Sequence, residues 1–189
     1  MRSRPVSPSE AIVAYVRAKD ENRPYLMEQA FDLDATLAMV VKSDAISFPP
    51  ITHGREAITQ ILVREFGRIY ENVRTLCLGA APESSDPTFS CGWLVGMSAK
   101  DGGAVRVGCG HYTWSFRAEA PRLVERLEIT IDVMQVLEAS HLPAVTGWLF
   151  ALPYPWCSIK AAFATAPQLE QLEPLRQWAR ENSRNPAPN

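Results

Sequence analysis

From Val73 the hydrophobic period of this chain becomes two and holds through four long segments, and that change limits the folds open to it. Before Val73 the apolar residues recur at the three- and four-residue steps of helices. After it they alternate, as on strands half-buried in a sheet. Residues 73–79, 88–99, 104–116 and 122–133 are four strand candidates, the second and third joined by the hairpin sequence Lys100-Asp101-Gly102-Gly103. In the last of them Leu127, Ile129 and Ile131 point one way, and Glu128, Thr130 and Asp132 the other. Gly108 and Gly110 within the third predict a bulge or a sharp bend.

Upstream, Ser7-Pro8-Ser9-Glu10 is a capping box with proline at the first helical position, and Ile12, Tyr15, Val16 and Lys19 follow at helical spacing. Asn22-Arg23-Pro24 breaks this helix and begins a short second one over 25–31. Asp32-Leu33-Asp34 turns the chain into a strand over 35–41. A loop containing Asp44 leads to a short strand over 46–48, stopped by Pro49-Pro50. His53-Gly54 then opens the longest core helix, whose stripe is Ala57, Ile58, Ile61, Leu62, Phe66, Ile69 and Tyr70. The fold class is α+β, with helices packed on one face of a strongly curved antiparallel sheet.

The chain divides into a domain over 7–138 and an extension over 139–189. Of 15 prolines, seven fall in the extension, which is therefore organised differently from the body. It reads as an apolar helix over 142–152, a rigid turn over 153–156, a turn or two of helix over 158–165, an amphipathic helix over 167–181 and a frayed end over 182–189. Trp148, Phe150, Tyr154 and Trp156 form an aromatic cluster too apolar to stand in water, so it covers the sheet, closes a cavity or meets a partner.

Nineteen basic against 21 acidic residues exclude a protein that binds polyanions by bulk charge, and the only lysines are Lys19, Lys42, Lys100 and Lys160. No nucleic-acid partner is expected. No apolar stretch approaches a membrane span and no apolar leader is seen, so the expectation is a cytoplasmic protein with no membrane partner. Cys77, Cys91, Cys109 and Cys157 lack metal-ligand spacing and read as small buried hydrophobes. No dinucleotide, P-loop, zincin or EF-hand motif is present, and neither cofactor nor metal is expected.

A helix pair, then "FDLDATLAMVV", then "PPITHGREAI" opening a helix, then four strands, resembles the nuclear-transport-factor-2-like superfamily, more narrowly its SnoaL-like and ketosteroid-isomerase-like branches. The resemblance covers residues 8–138. It implies a cystatin-like cone, in which the sheet wraps the long helix around a pocket, and a homodimer formed through the outer sheet face. The superfamily spans isomerases, cyclases, dehydratases, epoxide hydrolases and non-enzymatic modules, so function has to come from the site.

By the resemblance, the oxyanion tyrosine of ketosteroid isomerases falls on Tyr15 and the second donor near Tyr112, while the base falls on Met39, which accepts no proton. Whether the chain is an enzyme is thereby left open. Asp44 and His53 are the candidates to replace the base. A dehydratase-like site needs a pocket histidine such as His111, which alternation sends to the face opposite Tyr112. An epoxide-hydrolase-like site needs Arg106 and Asp132 together, and Asp132 is in phase with the outward residues. Met39, Trp93, Trp114 and Phe116 join the tyrosines as pocket walls, predicting a cavity of several hundred Å³ for a small apolar or aromatic molecule. Isomerase, cyclase, hydrolase and lyase chemistry all fall within the resemblance. The other reading is a non-catalytic dimerisation or protein-interaction module.

Overall fold

A computed structural model of the chain describes residues 6–184. Ser7 caps α1 (Pro8–Asp20): its hydroxyl accepts from the Glu10 amide, and the Glu10 carboxylate accepts from the Ser7 amide. Such a cap contributes about 1 kcal/mol. The buried side of α1 carries Ile12, Tyr15, Val16 and Lys19, as their spacing predicts. The helix predicted over 25–31 is a 3₁₀ turn, Pro24–Gln29. It stops early because Phe31 already pairs with Val124 in the sheet, opening β1 (Phe31–Val41).

The strand predicted over 46–48 is instead loop, and β2 (Ile51–His53) follows the two prolines. Ile46 and Phe48 pack into the core, while Ile51 finds the pairing partner, Ala38 of β1. His53 accordingly ends a strand and does not begin the helix. Gly54, at φ 85°, makes the turn that only glycine adopts freely, and α2 (Arg55–Thr59) starts one residue on. A π-helical segment, Gln60–Glu65, carries it into α3 (Phe66–Ile69) as one rod.

The sheet continues with β3 (Tyr70–Leu78), β4 (Thr88–Ala99), β5 (Val105–Phe116) and β6 (Val124–Leu137). After these come α4 (Leu142–Phe150), β7 (Trp156–Cys157), α5 (Ile159–Ala164) and α6 (Glu173–Arg184). The strand order is β2-β1-β6-β5-β4-β3-β7. The four long strands are antiparallel, whereas β1 joins β6 and β7 joins β3 in parallel. The bend expected from the third strand's glycines lies opposite them. Cys109 pairs Val133 and Gly110 pairs Ile131, so Asp132 is the extra residue of a bulge in β6. A Cβ on Gly110 would collide with the Thr130 carbonyl, so that approach requires glycine.

The sheet has an apolar layer on each face. Inside, α1 and the 55–69 rod pack against Trp93, Met97, Tyr112, Trp114 and Ile129. Outside, residues 139–184 cover Leu76, Leu78, Leu94, Val105 and Val107 with Val145, Trp148, Leu149, Leu175 and Trp178. The face through which the resemblance implies a homodimer is thus occupied by the chain's own extension. The four aromatics of the extension do not form one cluster: Trp148 is buried outside, Phe150 is 51% exposed, and Tyr154 and Trp156 reach round the β3 edge to the inner layer. The turn predicted over 153–156 is partly strand, since Pro155 and Cys157 carbonyls accept from the Cys77 and Gly79 amides. Residues 182–184 of the predicted frayed end are helical, and 185–189 lie outside the described residues. Among the described residues no helix is long and apolar enough to cross a membrane.

Candidate functional site

Tyr15 projects from the buried side of α1 and Tyr112 from the inner face of β5. Their ring centres lie 6.2 Å apart, edge to face. Trp93, two strand rungs away on β4, stacks on Tyr112 at 5.7 Å. The period of two does this work: Trp93, Tyr112, Trp114 and Phe116 share the inner face, as the alternation requires. Burial, chiefly, pushes both phenols above their ordinary range, so each stays a neutral hydrogen-bond donor.

The two tyrosines, Trp93 and Met39 line a small cavity with Lys19 and a ring of aliphatic, phenylalanine and methionine side chains. Its volume is about 50 Å³, so the cavity of several hundred Å³ predicted from the wall residues is not present. Two placements account for the difference. Trp114 and Phe116 are buried in the inner layer without lining the cavity, Trp114 packing against Tyr15 at 5.5 Å. Ile46 and Phe48 of the β1–β2 loop turn into its wall and take up space there. Outside them runs a groove of about 380 Å³, which shares Ile46, Phe48 and Phe66 with the cavity. Among the described residues, no backbone hydrogen bond ties 43–49 to the sheet, so apolar side chains hold that loop in place.

The charged wall residue, Lys19, was readable as a helix-face position but not as part of a site. Its ammonium donates to Asp20 Oδ1 (3.1 Å) and Thr75 Oγ1 (2.5 Å) and lies 5.0 Å from the centre of the Phe66 ring. Asp20 also accepts from the Thr75 amide and hydroxyl, both at 2.7 Å, and from the Tyr154 hydroxyl at 3.1 Å. The signal was the four-residue step from Tyr15 to Lys19; the partners of Lys19 come from β3 and from the extension, which no local pattern connects.

Asp44 is exposed and borders the outer groove, not the cavity. His53 is exposed on β2, with Nδ1 3.3 Å from Thr36 Oγ1. Neither lies against the tyrosines, and the cavity wall contains no carboxylate or imidazole. Arg106 faces inward over the Tyr70 ring, whereas Asp132 and His111 meet on the outer side. All four cysteines are buried, and burial pushes the Cys109 thiol up, away from reactivity at neutral pH. Among the described residues no three His, Cys, Asp or Glu side chains are grouped to hold a metal ion. The site therefore offers hydrogen-bond donors and one paired cation in an apolar wall. It can bind an acceptor or stabilise negative charge, but it has no carboxylate or imidazole base.

No protein-family model and no curated protein matches the sequence. Solved structures do match the fold. A hexachlorocyclohexane dehydrochlorinase (LinA) is 11% identical, with 67% of this chain and 84% of that one covered and a TM-score of 0.54. A computationally designed 17-OHP binder is 17% identical over 69% of this chain and 99% of its own, with a TM-score of 0.53. A nuclear transport factor 2-like superfamily protein from Salmonella enterica is 15% identical over 66% and 88%, with a TM-score of 0.50.

Proposed function

We propose that this chain, which has the nuclear-transport-factor-2-like fold, binds a small apolar or aromatic molecule carrying one hydrogen-bond acceptor inside the cone. The observation that carries this reading is the Trp93 indole N–H, which is buried and has no hydrogen-bond partner in a wall whose other polar groups are Lys19, Tyr15 and Tyr112. An unmade buried donor costs about 1–3 kcal/mol, and an acceptor on a ligand restores that bond. Ligand pockets ordinarily run to about 300–1,000 Å³. Occupancy by a molecule of that size requires Ile46 and Phe48 to withdraw, which joins the cavity to the groove outside. Within the same fold, a designed 17-OHP binder and a hexachlorocyclohexane dehydrochlorinase support a small-molecule role. With Met39 where ketosteroid isomerases place their base, the reading favours binding over proton abstraction.

Thermal shift and tryptophan quenching with aromatic aldehydes, ketones and carboxylates, each against its hydrocarbon counterpart, test this. Acceptor-bearing compounds should bind more tightly, and Tyr15→Phe should reduce their advantage by about 2- to 10-fold. Equal responses from hydrocarbons and carbonyl compounds, or no response to any, would overturn it.

A further inference from the structure

On the outer face of the sheet, His111 of β5 is enclosed by acceptors from two other elements. Its Nδ1 lies 2.8 Å from Asp132 Oδ2, at the β6 bulge, and its Nε2 lies 2.9 Å from Asn182 Oδ1, on the last turns of α6. The Asn182 amide is oriented independently: its Nδ2 donates to the Trp178 carbonyl at 2.9 Å, which leaves Oδ1 toward the imidazole. Asp132 Oδ2 also accepts from the Trp178 indole (3.0 Å), and Oδ1 accepts from Lys42 (2.7 Å). Burial works against the charge of Asp132, yet Lys42, Trp178 and His111 outweigh it and hold the carboxyl below its usual range. It is an ionised acceptor.

A neutral imidazole has one N–H and one lone pair, so one of its nitrogens faces an acceptor with nothing to donate. Only the imidazolium makes both bonds. We propose that His111, Asp132 and Asn182 form a proton-dependent latch that holds the end of α6 on the sheet. When the ring gives up its Nε2 proton to water, two lone pairs oppose each other across 2.9 Å and the Asn182 contact opens. Water has access, because the His111 side chain is 35% exposed. It sits in the wall of a cleft of about 520 Å³ between the extension and the β3–β4 loop, so opening the latch widens that cleft.

The charged and titratable surroundings are accounted for element by element. β6 presents Asp132, the end of β1 presents Lys42 through Asp132, and the β3–β4 loop places Glu83 and Asp86 in the cleft wall. β4 places Gly92 directly opposite, and α6 contributes the neutral Trp178 and Asn182. Cys109, two residues back on β5, is held as a thiol by burial and by Asp132.

Amide hydrogen exchange over residues 174–183 of the full chain, corrected for its intrinsic pH dependence, reads the latch. Protection should fall about tenfold across a series from about pH 5 to about pH 8. Asn182→Ala should flatten that dependence while the rest of the chain stays protected, and Asn182→Asp, which keeps an acceptor, should retain it. A flat wild-type profile, or a dependence that survives Asn182→Ala, would overturn the proposal.

Discussion

The two faces of the sheet are both apolar, yet they differ in what they bury among the hydrocarbon. The inner layer encloses an ammonium, a carboxylate, two phenols, unpartnered Trp93 and Trp114 indole N–H groups and a small void. The outer layer is aliphatic and aromatic, its buried Trp148 indole is satisfied by the Ala162 carbonyl at 2.7 Å, and His111 and Asp132 meet α6 at its rim. Buried polar groups are costly unless satisfied, so an interior that keeps them is arranged for something besides stability, whereas an apolar contact serves cohesion. On the proposed reading, ligand chemistry belongs inside the cone, while the outer contact holds the extension to the sheet.

Removing residues 139–189 tests the outer half most severely. It strips the cover from Leu76, Leu78, Leu94, Val105 and Val107, and light scattering should then find self-association or aggregation. A truncated chain that stays monomeric and as stable as the whole would break the comparison.

Next in size is Asp20→Ala. Leaving the Lys19 ammonium buried and unpaired should cost about 3–5 kcal/mol in urea unfolding, and the pair Lys19→Met with Asp20→Asn, which removes the charge and keeps an acceptor for Thr75 and Tyr154, should recover part of it. A loss below about 1 kcal/mol would mean that the inner ion pair is solvated and unlike a buried one.

Leu149→Ala, at the centre of the outer layer, should cost about 2–5 kcal/mol without changing ligand affinity, since Leu149 does not line the cavity. An altered affinity would show the two layers to be coupled.

Smaller again is the acid response of the rim. Asp132 has a depressed folded value, so its contribution is complete above the ordinary carboxylate value, near 4, and is lost as pH falls through the folded one. Asp132→Asn should weaken the fold at neutral pH and flatten its acid response below about pH 4. An unchanged acid midpoint would remove Asp132 from the rim's stability. The smallest effect belongs to Tyr15→Phe, which should change stability by about 1 kcal/mol or less while lowering affinity for acceptor-bearing ligands; a larger stability loss with unchanged affinity would make Tyr15 a packing residue.

Much of this was legible locally. The capping box, the strand alternation and the shared face of Tyr112, Trp114 and Phe116 follow from spacing, because a helix or strand determines which of its own side chains share a face; that Trp93 joins them inside came from the resemblance. The same rule sent His111 to the side opposite Tyr112. The short strand was misplaced by a few residues because Ile46 and Phe48 are as apolar as any strand residue, and only the pairing of Ala38 with Ile51 decides which segment joins the sheet.

What the chain determines by itself is therefore the fold class and which side chains of each helix and strand share a face. Tertiary structure alone decided that Asp44 and His53 stand away from Tyr15 and Tyr112, that Lys19 and Asp20 meet Thr75 and Tyr154, and that the extension covers the outer face. It also decided that the cavity is small, about 50 Å³. The reason is one of range: periodicity and capping act over a few residues, whereas a hydrogen bond spanning 56 positions or a void left among fourteen side chains exists only once distant segments have packed.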